Sequence, residues 1–236
     1  MEAFLQATVL VDYKHPSIEQ LIRTKGWSRD ELTEYEKIRQ IYDYVRNQIK
    51  FGYNRGDDIP ASEVLADGYG QCNTKSILLM ALLRGAGIAC RIHGFYIDKK
   101  MQKGALTGII YTFAPANIVH AWTEVWFEGK WVALEGVIID DPYLKQVQDR
   151  LCSYNGGYIG YGISIKDKAG INLCWRGEST YIQSFSITED LGYFDHPDDF
   201  FAKYNNVKGA VKKLLLNLLR KRVNRQTDAI RKGRRQ

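Results

Sequence analysis

The chain is poor in the features that usually assign a protein at sight. It has four cysteines in 236 residues, at positions 72, 90, 152 and 174. None forms a C-x-x-C pair or a His/Cys cluster, which excludes a zinc-finger type of site and a dense disulfide framework. No uninterrupted apolar run reaches the roughly 18 residues that a membrane-spanning helix needs. The opening MEAFLQATVLVDYKHP has an acid at position 2, no basic leader and only a short apolar stretch, so it reads as a poor secretory signal. Internal repeats, low-complexity linkers and calcium-loop spacing of acids are also missing. The expectation is a soluble, cytoplasmic protein with free thiols, no metal and no cofactor.

What is present is an ordinary globular composition, 45% apolar and 25% charged, with enough length to bury a substantial core. The net charge of +6 misleads, because it is not evenly spread. Residues 207–236 carry eleven Lys/Arg and one acid, Asp228, whereas the other 206 residues carry 22 basic and 26 acidic groups. The basic character belongs to a C-terminal appendage. We expect a main domain over residues 1–206, with its core at about 60–140, and a basic amphipathic helix and tail over 207–236.

Residues 28–50 place Leu32, Tyr35, Ile38, Tyr42, Val45 and Ile49 at helical spacing, with Ser28/Glu31 or Thr33/Glu36 as a capping box. A Gly/Asp-rich loop follows. Residues 72–84 read as a helix buried on all sides, since 77–83 are continuously apolar, and Gly85 and Gly87 end it. Strands are expected at 89–97, 119–127 and 131–139, with a short one at GIIYTF (108–113). Helices are expected at DDPYLKQVQDRL, with Pro142 in the first turn, and at 196–204. Helices first, a buried helix, then antiparallel strands make an α+β pattern.

Cys72 opens the buried helix. A lone cysteine is most often packing. At a helix N-terminus, however, a thiol meets unpaired N–H groups and the positive end of the helix dipole, which favour a thiolate. A thiolate nucleophile needs a base. His15 and His196 precede prolines near helix starts and His93 lies within a strand, so the default for each is structural. His120 differs. In VHAWTEVWF it shares one strand face with Trp122, Glu124 and Trp126, while Val119, Ala121, Thr123, Val125 and Phe127 make the core face. If the next strand pairs through a two-residue turn at Glu128-Gly129, paired positions sum to 257. Glu135 then lies opposite Trp122 and diagonal to His120, within reach of it. Asp141 is the second choice of acid, and Asp140 faces away.

Three motifs, GYGQCNTKSILLMALLRGAGIACRIHGF, VHAWTEVWFEGKWV and WVALE, resemble the transglutaminase-like superfamily, whose fold elaborates a papain-type cysteine protease core. The resemblance covers about residues 60–140. It implies an α+β fold with the Cys72 helix packed on an antiparallel sheet. It also implies Cys72 as nucleophile, His120 as general base and then acid, and Glu135 as the orienting carboxylate, where the family usually has aspartate. Gln71, Tyr69, Tyr53, Asn54 and Trp122 are candidates for oxyanion or substrate contacts. The implied reaction is acyl transfer from an amide through a thioester, with hydrolysis (a peptidase or amidase) ahead of transamidation, or a module that kept the fold and lost turnover. The implied partner is a protein or peptide. No nucleic-acid motif is present. The tail is a candidate for contact with an anionic surface through its basic flank, or for docking on the acidic body through Val207, Val211, Leu214, Leu215, Leu218 and Leu219.

Overall fold

A computed structural model describes residues 1–106, 108–112, 115–151, 156–167, 171, 173–205 and 210–234. The helical layer comes first. It comprises α1 (Pro16–Lys25), α2 (Glu34–Gln48), α3 (Ala61–Asp67) and α4 (Cys72–Gly85), with a two-stranded parallel ribbon of β1 (Lys50–Phe51) and β2 (Tyr69–Gly70) leading into α4. His15 caps α1 by accepting from the Ser17 N–H. Thr33 and Glu36 close a capping box on α2, whose inward stripe is Ile38, Ile41, Tyr42 and Val45. The stretch between α2 and α4 had been read as loop. Its Gly/Asp content hides α3, a helix of seven residues too short for periodicity to reveal.

The main sheet has the order β5-β4-β3-β8, all antiparallel. Its strands are β3 (Cys90–Asp98), β4 (Asn117–Phe127), β5 (Lys130–Ala133) and β8 (Ile187–Phe194). Between β3 and β4 lies α5 (Gly108–Thr112), which replaces the strand expected at GIIYTF; Phe113 lies outside the described residues. After β5 come α6 (Asp141–Arg150), a small hairpin of β6 (Tyr158–Gly160) and β7 (Ile163–Ile165), then β8, α7 (Pro197–Lys203) and α8 (Ala210–Arg231). The edge strand β8 has no apolar alternation, because its pattern of burial is shallow throughout. That is why its sequence does not announce it.

α4 is the centre of the molecule, with every side chain from Cys72 to Arg84 buried. It lies on the face of β4 formed by Val119, Ala121 and Val125, which join the main core. Ser76 Oγ donates to the Ala121 carbonyl at 3.2 Å and Thr123 Oγ1 to the Ser76 carbonyl at 3.1 Å, so helix and strand are locked in one register. Gly85 allows α1 to approach, since a Cβ there would meet Ile22 at 2.4 Å. Among the described residues, no helix is long and apolar enough to cross a membrane.

The β4–β5 hairpin has the register that the two-residue turn requires. Trp126 faces Trp131 and Glu124 faces Ala133. Glu128 and Gly129 both have positive φ, 47° and 79°, the backbone of a type I′ turn. The strand expected to run to residue 139 stops at Ala133. Residues Glu135–Ile138 form a 3₁₀ turn instead. The cause lies in a distant segment. Thr180 pairs with Leu134 in an isolated parallel bridge, its N–H donates to the Ala133 carbonyl at 2.9 Å, and its hydroxyl accepts from the Gly136 N–H at 3.2 Å. A Cβ on Gly136 would meet the Tyr42 hydroxyl at 2.4 Å, so glycine is what lets the chain turn here.

The C-terminal helix docks on the body, with Val223, Thr227 and Ile230 buried and α6 as its neighbour. The expected leucine face falls mostly on residues whose side chains lie outside the described set. Over the described part, the contacts to α3, the ribbon and the residues just after β1 are a polar stripe: Arg220 to Asp67 at 2.8 Å, Asn224 to Tyr53, Asp228 to Tyr69 at 2.8 Å and Arg231 to the Phe51 carbonyl at 3.0 Å.

Candidate active site

Cys72 is the first residue of α4, and its N-cap is Gln71. The Gln71 side-chain oxygen accepts from the Asn73 and Thr74 N–H groups at 2.6 and 3.2 Å, and Thr74 Oγ1 accepts from the Gln71 N–H at 3.1 Å. Its amide nitrogen donates to Asp57. Gln71 was a candidate oxyanion donor. Its carbonyl and its amide are instead committed to capping the helix and tying down the loop at 57. The same bonds occupy the second and third N–H groups of α4 and fix the start of the helix at the thiol. Cys72 is 8% exposed, and its sulfur is directed to Asn73 Oδ1 at 3.6 Å. Asn73 Nδ2 in turn donates to the Val119 carbonyl at 3.0 Å, next to His120.

His120 and Glu135 are fully buried, and His120 Nε2 lies 2.9 Å from Glu135 Oε1. The other carboxylate oxygen, Oε2, accepts from three consecutive backbone N–H groups, those of Ile182, Gln183 and Ser184, at 2.7, 3.1 and 3.2 Å. A nest of three amides thus fixes one oxygen of the carboxylate and leaves the other on the ring. Among the described residues His120 Nδ1 is buried without a hydrogen-bond partner, and Cys72 acts on the ring through its charge. Burial alone would push the imidazole down. The charge of Cys72, then the hydrogen bond and charge of Glu135, outweigh it and raise His120 to about 10. The site thus groups a thiol at a helix start, a buried imidazole and a buried carboxylate.

The remaining candidates separate into neighbours of the sulfur and parts of the scaffold. The Tyr53 phenol is raised far above its ordinary range by burial, and further by the charges of Cys72 and Asp57; Tyr53 follows the ribbon in which Phe51 pairs with Gly70, two residues ahead of Cys72. Trp122 meets His120 edge-on with ring centroids 5.8 Å apart and Phe95 at 4.0 Å. Asn54 is scaffold: its amide nitrogen donates to Asp67 and to the Tyr69 carbonyl, both at 2.9 Å, and its oxygen accepts from Thr74 Oγ1 at 2.7 Å. Tyr69 turns away toward α8, where its hydroxyl meets Asp228. Asp141, the second choice of acid, pairs with Arg46. Asp140 caps α6 and pairs with Arg231 at 2.7 Å.

His93 is engaged elsewhere on the His120 face of the sheet. Its two ring nitrogens lie 3.0 Å from Glu124 and 2.9 Å from Asp190. Arg91, itself between the rings of Trp131 and Tyr193, bonds the same Glu124 at 2.7 Å. This network joins three strands and explains how polar residues are buried there. Burial would push the Glu124 carboxyl up, but its bonds from His93, Arg91 and Trp122 hold it below the ordinary value.

Sequence reading missed the segment 180–184. Its backbone holds Glu135, and Tyr181, 49% exposed, lies edge-on to Trp122 at 5.7 Å. Nothing in TYIQS marks it, because the interacting groups are peptide N–H donors that every residue carries. Among the described residues, no cluster of three or more His, Cys, Asp or Glu could hold a metal ion.

Residues 23–136 match the family model of the transglutaminase-like superfamily, which bears out the resemblance read from the three motifs. The segment spans α2 to the 3₁₀ turn bearing Glu135 and includes both Cys72 and His120. No curated protein matches the chain. A solved structure from Cytophaga hutchinsonii, of a protein proposed to be a cysteine protease, is 14% identical with a TM-score of 0.46 over 83% of this chain. The chain spans about half of that protein, 47% of its length.

Proposed function

We propose that this transglutaminase-like core is a thiol-dependent acyl-transfer enzyme acting on amide bonds of a protein or peptide, a hydrolase of the cysteine peptidase or amidase kind. The observation that carries the reading is His120, buried between Cys72 and a carboxylate 2.9 Å away and raised to about 10. A buried imidazole held that high favours imidazolium, the form needed beside a thiolate.

In the proposed cycle the Cys72 sulfur attacks the amide carbon, forming a C–S bond as the carbonyl π pair moves to oxygen. The tetrahedral oxyanion re-forms the carbonyl and breaks the C–N bond, and His120 gives its proton to the departing amine. The neutral imidazole then takes a proton from water, the hydroxide attacks the thioester, and the thiol leaves with the proton returned through His120. Glu135 holds the ring and stabilises its charge throughout. An amine in place of water would give transamidation by the same first half. The Tyr53 hydroxyl is the proposed donor to the oxyanion, and Trp122 with Tyr181 the proposed wall for substrate. The exposed Lys221, Arg222 and Arg225 of α8 are the proposed contacts to an anionic surface.

The test is the rate of iodoacetamide alkylation against pH, with adduct mapping, in wild type, Cys72→Ala and His120→Ala. The reading expects one fast site below pH 7, mapped to Cys72 and slowed in His120→Ala. Thiols that all titrate near the reference of about 8.5 would end it. A reactive Cys72 with no turnover on any peptide or amide would leave the inactive module instead.

A further inference from the structure

The C-terminal helix holds the segment that carries Tyr53, and it does so with one side chain. After Phe51 the chain leaves the ribbon. The Gly52 N–H still donates to the Gly70 carbonyl at 3.0 Å, but Tyr53 turns both of its backbone groups to α8. Its N–H donates to Asn224 Oδ1 at 2.7 Å, and its carbonyl accepts from Asn224 Nδ2 at 3.0 Å. The pair reproduces, with a side-chain amide, the two bonds of a strand rung. Asn and Gln alone offer a neutral donor and acceptor on one planar group. The approach is close: a Cβ on Gly52 would stand 2.6 Å from the Tyr69 ring and 2.9 Å from Asn224 Oδ1.

Docking of α8 does not require this residue. Val223, Thr227 and Ile230 are buried beneath the helix, and Arg220, Asp228 and Arg231 bond Asp67, Tyr69 and Asp140. Those contacts reach α3, the ribbon and the N-cap of α6. Among the described residues of α8, Asn224 is the one that bonds Tyr53, and the pairing of Phe51 with Gly70 together with the Asn54 bonds to the Tyr69 carbonyl and Thr74 brackets Tyr53 against the start of the Cys72 helix. Asparagine is also a poor helix former, so its place in mid-helix calls for a contact that repays it.

We infer that Asn224 is a positioning residue of the active site: it fixes the Tyr53 hydroxyl beside Cys72, and the C-terminal helix is thereby part of the catalytic apparatus. This rests on the thiol-enzyme reading above. It makes a basic appendage outside the matched family segment necessary for the reactivity of the cysteine.

The experiment is a double-mutant cycle on the full chain with Asn224→Ala and Tyr53→Phe, read by the pH profile of iodoacetamide alkylation at Cys72 and by thermal melting. Asn224→Asp is a third variant; it keeps the acceptor for the Tyr53 N–H but faces the Tyr53 carbonyl with a second acceptor. Expected is a loss of about tenfold in alkylation rate at pH 6 in Asn224→Ala and in Tyr53→Phe, the size of one lost hydrogen bond. The double variant should be no slower than Tyr53→Phe alone, and Asn224→Asp should follow Asn224→Ala. A lowered melting temperature with an unchanged alkylation profile would make Asn224 a docking residue only and overturn the inference. So would fully additive losses. If wild-type Cys72 is itself unreactive below pH 7, the enzyme reading falls and takes this one with it. If wild type is reactive and Asn224→Ala equals it, this inference alone falls.

Discussion

Glu135 shows why the acid here has the longer side chain. Its carboxylate must reach His120 with one oxygen while three backbone N–H groups hold the other. An amide has one oxygen for these two tasks. Glu135→Gln therefore strips the acceptor either from the ring or from the nest, and the imidazolium loses its support. We expect the His120 midpoint, followed by ¹⁵N NMR of the imidazole, to fall by about one unit or more from its value near 10. An unchanged midpoint would mean that Cys72 alone sustains the charge. Lys75 is the second residue with a sharp consequence. It is fully buried in α4, with Nζ donating to the Arg46 and Ile138 carbonyls, both at 3.0 Å. Burial lowers it to about 7, assisted by Arg46 and Arg231 and opposed by Asp140. Between that value and about 10.4 the unfolded chain holds a proton that the folded chain has released, so this group makes stability rise with pH across the window. Urea unfolding of wild type and Lys75→Met at pH 6, 8 and 10 should show the difference between them shifting in favour of wild type as pH rises.

At the scale of elements, the β4–β5 hairpin sets the register that aligns His120 with its acid, and its turn is not optimised. Glu128 sits at φ 47°, a left-handed conformation that suits asparagine, aspartate or glycine. Glu128→Asn should stabilise the protein by about 0.5–1 kcal/mol, read as a higher urea midpoint at constant slope. A loss of stability would mean that the glutamate makes a contact worth more than the strain it carries. The same hairpin shows how far pattern can be read. VHAWTEVWF alternates, and the structure keeps the alternation. WVALEGVII has no such pattern, and the strand ends where the 180–184 segment captures its backbone. That stop is what turns Glu135 out of the sheet and over the ring.

At the scale of the molecule, the C-terminal helix closes over a buried ionic knot centred on Asp140. Asp140 accepts from Arg231, from the Phe51 N–H at 2.8 Å and from the Tyr143 N–H at 3.1 Å. Burial would raise its carboxyl, but Arg231, Phe51 and Lys75 together hold it below the ordinary value. Removing Arg231 leaves that charge buried without its main partner. Arg231→Met should cost about 3 kcal/mol in urea unfolding at pH 7, and Asp140→Asn in the same background should return part of it. The sign with pH follows: a depressed carboxylate stabilises above its unfolded value and loses that contribution as pH falls. The acid limb of unfolding should therefore shift to higher pH in Arg231→Met.

The sequence by itself determined the elements whose residues repeat with a period: α2, the buried α4, β3, β4 and the hairpin register. Apolar patterning, caps and turn residues act locally, and each is readable from its neighbours in the chain. It also singled out Cys72 and His120 as candidates, because a helix start favours a thiolate and a histidine beside two indoles is an unusual strand face. Tertiary structure alone decided what holds them. The nest on Glu135 is made of peptide groups some 47 residues away, the Gln71 amide is drawn into capping α4 and onto Asp57, and an asparagine on the last helix holds the backbone of Tyr53. Such contacts depend on backbone atoms common to all residues, or on polar side chains whose partners lie far along the chain. They leave no periodic trace, so only the packed molecule reveals them.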